Sequence, residues 1–143
     1  MSTNRADLVN GISTMMAAFI AAHPTLLRRH FAARPKTVLT DLPLSYLDTL
    51  GMTIHYDSGL RETIFNPEIV FVDRETDSNE TSDRIDVLVD SITDHLDSYA
   101  HIVAGTSWSD AEWAEEAVPL SDGTSATGIR LRITGLSFLN GRP

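Results

Sequence analysis

Residues 82–100, SDRIDVLVDSITDHLDSYA, decide the class of fold. Ile85, Leu88, Val89, Ile92, Leu96 and Tyr99 recur at the spacing that lays one face of an α-helix on a core. The stretch therefore predicts a helix from about Ser82 to Ala100. Asp83, Asp86, Asp90, Asp94 and Asp97 recur on the other side. At roughly 100° per residue they lie within about 80° of one another. The first of them meet the positive end of the helix dipole. The later ones repel by a few tenths of a kcal/mol per i, i+4 pair, and no Lys lies between them.

Upstream, Leu8, Ile12, Met15 and Phe19, flanked by Val9, Met16 and Ile20, predict a first helix from about Arg5 to Ala22. Asp7 falls in its first turn, and Pro24 ends it. Ala17, Ala18, Ala21 and Ala22 permit close approach of another element, either within the monomer or from a second subunit. Residues 24–43 predict a helical turn and then a basic loop. Met52–Tyr56 and Leu60–Phe65 flank Asp57-Ser58-Gly59, the composition of a hairpin. The unbroken apolar run Ile69-Val70-Phe71-Val72 predicts a strand buried on both faces, or at least deep in a sheet. Pro67 before it cannot donate to a ladder, which predicts a bulge or an edge position. Glu112–Val118 predicts another strand. Ile129–Thr134 alternates as a half-buried strand does. Ser121–Ser125 is the polar loop between them. The sum is an α+β domain: one mostly antiparallel sheet of four to five strands with two main helices packed on it.

The chain has 143 residues and no cysteine, which suits one domain with a core of its own. The absence of cysteine excludes disulfides, thiolate metal sites, iron–sulfur clusters and a cysteine nucleophile. Met15–Ala22 is the longest apolar stretch near the start, far short of the roughly 20 residues of a membrane span. The expectation is a soluble chain made in the cytoplasm, with no membrane partner. The net charge is −9 and unevenly placed. Residues 1–40 hold five bases and one acid; residues 41–143 hold six bases and 19 acids. So acidic a body argues against gripping DNA through its phosphates, which takes clustered Lys and Arg.

No pattern carries catalysis. Asp90, Asp94, His95, Asp97 and His101 have loosely ligand-like spacings, but nothing matches HExxH or a calcium loop. The aspartates are a solvated helix face. There is no Gly-x-Ser-x-Gly elbow and no phosphate-cradling glycine loop. The five histidines stand in no recognised arrangement. Glu115 and Glu116 are adjacent on a strand and point to opposite faces. Trp108 and Trp113 lack the basic neighbours of a nucleic-acid stacking platform and read as core or interface packing. The expectation is a non-enzymatic protein without cofactor or metal.

Several short motifs occur in a telling order. Asp41-Leu42-Pro43 and Tyr46 precede the hairpin, which carries His55-Tyr56-Asp57-Ser58-Gly59-Leu60-Arg61. A long strand ends at Asp73, the acidic helix carries Asp83-Arg84-Ile85-Asp86-Val87-Leu88-Val89-Asp90, and the chain closes on Gly141-Arg142-Pro143. In this layout, over about residues 5–143, the chain resembles the tail terminator proteins of long, non-contractile-tailed bacteriophages, in the form found in actinobacterial phages. Pro67 inside the long strand departs from the pattern. The resemblance implies a virion protein assembled in the host cytoplasm, forming a homohexameric ring on the neck-proximal end of the tail. Such a ring ends polymerisation of the major tail tube protein and offers a surface to the head–tail neck or stopper protein. DNA passes through without specific binding. A stopper or connector-completion protein of the same neck is the alternative, and a host-directed or regulatory binding domain is a further one.

A ring of like-facing subunits needs two different patches per subunit. The basic Arg28, Arg29, Arg34 and Lys36, with Trp108 and Trp113, are candidates for subunit or tube contact. Asp86, Asp90, Asp94, Asp97, Glu112 and Glu115 are candidates for an acidic lumen, where they would repel phosphates, or for the facing acidic patch.

Overall fold

The computed structural model describes residues 4–35, 42–73, 78–119 and 125–141. Among the described residues the chain is α+β, with two helices and eight strands. The helices are α1 (Asn4–Ala22) and α2 (Ser78–Leu96). The strands are β1 (Arg29–Phe31), β2 (Leu44–Thr49), β3 (Met52–Asp57), β4 (Leu60–Phe65), β5 (Glu68–Asp73), β6 (Asp110–Pro119), β7 (Ser125–Thr134) and β8 (Leu136–Gly141). The expected single sheet is in fact two. A five-stranded sheet has the order β1-β2-β5-β7-β6, and a three-stranded sheet the order β3-β4-β8. All pairings are antiparallel except β1 with β2, so the larger sheet is mixed.

The apolar run in β5 explains its central place. Ile69 and Phe71 enter the main core beside Leu8, Ile12 and Phe19 of α1 and Ile85, Leu88 and Ile92 of α2. Val70 and Val72 enter a second cluster on the opposite face with Leu44, Tyr46, Val118 and Ala126. Each of these β5 side chains is at most 1% exposed and contributes roughly 1.5–3 kcal/mol gross. The smaller sheet closes the main core from another side with Phe65, Leu136 and Phe138, and Phe65 meets Phe138 edge-on at 5.7 Å.

The two sheets share a seam. β2 runs into β3, β4 into β5, and β7 into β8, and each passes from one sheet to the other. The three crossings are stitched at Asn66. Its backbone N–H donates to the carbonyls of Leu50 (2.8 Å) and Gly51 (3.0 Å), and its side-chain oxygen accepts from Gly135 N at 2.9 Å. Gly51 and Gly135 take positive φ, 49° and 77°, which glycine adopts without steric cost. Pro67 is thus at neither a bulge nor a sheet edge. It lies where the chain changes sheet, and its carbonyl accepts from Ile133 N at 2.9 Å. The register shift expected nearby falls on the partner strand, between Leu47 and Thr49.

Other corrections are local. β2 was not evident as a strand, because Leu44–Leu47 is buried on both faces and does not alternate. β8 and β1 are held by long-range pairing that periodicity does not reveal. α2 begins and ends four residues earlier than expected, so Tyr99 and His101 lie beyond it. Its apolar stripe stands as read: Ile85, Leu88, Ile92 and Leu96 are buried, and Val89 and Tyr99 pack against the core. On α1 the close approach is made by Gly11. A Cβ there would lie 2.7 Å from the carbonyl oxygen of Ile102. Ala17, Ala18, Ala21 and Ala22 are exposed, so α1 is not packed on both sides within the chain.

Candidate functional site

The basic segment contains β1, the outer strand at one end of the larger sheet. Arg28 is exposed, and its backbone N donates to Pro43 O at 2.9 Å, steering the chain into register with β2. The Arg29 guanidinium lies 4.9 Å from the Phe31 ring centre and that of Arg34 5.8 Å from the Tyr46 ring centre. These are the distances of cation–π contact. Lys36 lies outside the described residues, as do Asp41, Ser121–Thr124 and the closing Arg142-Pro143.

At the other end of the same sheet runs β6. It is ten residues long and pairs on one side only, with β7. Asp110, Glu112 and Glu115 are exposed on it. Glu112 aligns with Arg132 and Glu115 with Ile129, so they flank the strand on opposite faces. The two acidic candidates therefore mark an edge, not one face. Asp86, Asp90 and Asp94 are exposed along α2, and Asp97 just past its end. Among the described residues no group of three or more His, Cys, Asp or Glu could hold a metal ion.

Trp108 and Trp113 are partly buried and anchored within the chain. The Trp108 indole N–H donates to Tyr99 O at 2.8 Å, the Trp113 ring lies 5.7 Å from that of Phe71, and both pack against the main core. His95 Nε2 donates to Met15 O at 2.9 Å, which joins α2 to α1 and fixes the tautomer. Its ring also meets those of Phe19 and Tyr99.

Two clusters escaped the sequence reading. Arg130 on β7 bonds Asp48 of β2 at 2.7 Å and Glu116 of β6 at 3.0 Å, with Glu68 of β5 at 3.6 Å. One cation thus clips four strands. The signal was the alternation Ile129-Arg130-Leu131, which places Arg130 opposite the helices. The second is His30, whose Nδ1 shares a 2.7 Å hydrogen bond with Ser45 Oγ. Ser45 is 0% exposed, and His30 Nε2 has no hydrogen-bond partner among the described residues. A nucleophile must reach its substrate, and a sealed serine cannot. Burial pushes His30 down from 6.5 to about 4, so it is neutral at physiological pH.

The most exposed apolar surface is on the three-stranded sheet. Every residue of β3 is exposed. Met52 (58%), Ile54 (40%) and Tyr56 (61%) continue the face that β4 and β8 bury with Phe65, Thr63 and Phe138. Leu60 and Leu139 are exposed on the opposite face. The sheet is an arm in which β4 and the edge strand β8 are anchored in the core and the other edge strand, β3, stands clear of it.

No protein-family model matches the chain, and no curated protein sequence matches it. No helix among the described residues is long and apolar enough to cross a membrane.

Proposed function

We propose that the chain is the tail terminator of a long, non-contractile-tailed bacteriophage. Six copies form a ring on the head-proximal end of the tail tube, end addition of the major tail tube protein, and present a surface to the neck or stopper protein. The observation that supports this most is the arm: Met52, Ile54 and Tyr56 are large and exposed side by side on one face of a sheet whose outer strand β3 pairs on one side only among the described residues. A contiguous apolar surface of this kind marks a protein contact, and an open edge strand is a template for one. The family is the one the chain resembles in the order of its motifs from Asp41 to Pro143.

The exposed aspartates of α2 suit the lumen. A wall of carboxylates repels the phosphate backbone and lets DNA slide without being held. The function needs no cofactor.

Loss of the gene tests the proposal. Overlong tail tubes separate from DNA-filled heads are the expected result. Tails of normal length without heads, or heads that leak DNA, would assign the chain to the stopper step instead.

A further inference from the structure

The two ends of the five-stranded sheet carry opposite charge. One is β1, set among Arg28, Arg29 and Arg34; the other is β6, set with Asp110, Glu112 and Glu115. We propose that the β1 edge of one copy seats against the β6 edge of the next, so that the sheet continues from subunit to subunit. The inference rests on the ring reading for its partner, a second copy of this chain, but takes the contact from the sheet order alone.

Three observations select this contact. First, β6 offers an edge of roughly 33 Å at about 3.3 Å per residue, with no ladder on its outer side among the described residues. Second, charge decides which edges meet. Acids on both faces of β6 oppose pairing of β6 with itself, and arginines oppose pairing of β1 with itself; only the unlike edges attract. The contact is therefore head-to-tail, the type that closes into a ring. Third, strand direction agrees. β1 runs parallel to β2, and each later pairing in the order is antiparallel. Copies joined in the same orientation therefore place β6 antiparallel to the neighbour's β1, the slightly more stable of the two pairings per residue. Glu112 and Glu115 become contact residues, and the lumen is left to the α2 aspartates.

Because the chain has no cysteine, paired substitutions report the contact cleanly. The full chain carrying R29C and E115C, oxidised at low salt and high concentration, should give a covalent ladder beyond the dimer. Each single variant should stop at the dimer. A second test uses charge. R28E/R34E and E112K/E115K should each weaken self-association more than tenfold in sedimentation at low salt, and mixing the two in equal amounts should restore it, since each then offers the edge the other lost. No ladder, or no rescue on mixing, overturns the inference. A ladder together with normal tails on loss of the gene would remove the terminator reading and leave the contact standing. Overlong tails without a ladder would do the reverse.

Discussion

The side-chain oxygen of Asn66 accepts the backbone N–H of Gly135 at 2.9 Å, 69 residues away. This contact closes the seam at which three strands leave the body for the arm. N66A leaves that N–H without its partner and should cost about 1–3 kcal/mol. N66D keeps an acceptor in place and should retain most of the stability. Urea denaturation of both variants separates the hydrogen bond from side-chain packing.

Arg130 is the only cation bonded to Asp48, Glu68 and Glu116 among the described residues. R130M keeps the stem but leaves three carboxylates facing one another. With a quarter of the side chain exposed, water recovers part of the loss, and a cost of about 2–3 kcal/mol is expected. A fall in the urea midpoint with unchanged slope is the check.

Gly11 sits inside α1, where Ala is ordinarily the better helix former by about 1 kcal/mol. Here a Cβ would lie 2.7 Å from a backbone oxygen and 3.0 Å from Val103 Cγ2. G11A should therefore lower stability by about 1–3 kcal/mol, the reverse of its propensity. Thermal melts of the variant decide the sign.

His30 makes stability depend on pH. Burial favours its neutral form in the folded chain, lowering its pKa from 6.5 to about 4. The unfolded chain thus takes up this proton first as pH falls. The contribution is intact above about pH 6.5, declines between 6.5 and 4, and changes no further below. The loss is at most about 3 kcal/mol. H30N cannot titrate and should flatten that part of the profile, measured by denaturation across pH 3.5–7.5.

The arm separates folding from assembly. Met52 and Ile54 are exposed, so M52T/I54T should change stability by no more than about 0.5 kcal/mol. In complementation the same variant should fail to end tails at normal length. A well-folded variant that still terminates tails would place the tube or subunit contact elsewhere.

Much was legible in the chain because it is local. The 3.6-residue stripe of Ile85, Leu88, Ile92 and Leu96 identifies α2 whatever it packs on. Asp57-Ser58-Gly59 makes the hairpin, and the unbroken apolar run Ile69–Val72 reads as a strand deep in a sheet. The five aspartates of 83–97 belong to an exposed side for the same reason. What lay beyond reach depends on partners distant in sequence. Leu44–Thr49 and Leu136–Gly141 become strands through pairing with β5 and β4, and Pro67 acquires its place only when two sheets meet at Asn66. Composition and spacing determined the helices, the hairpin, the central strand and the distribution of charge. Tertiary structure alone decided that the arginines of 28–34 and the acids of 110–115 stand at opposite ends of one sheet, because strand order is set by long-range hydrogen bonding that no local pattern encodes.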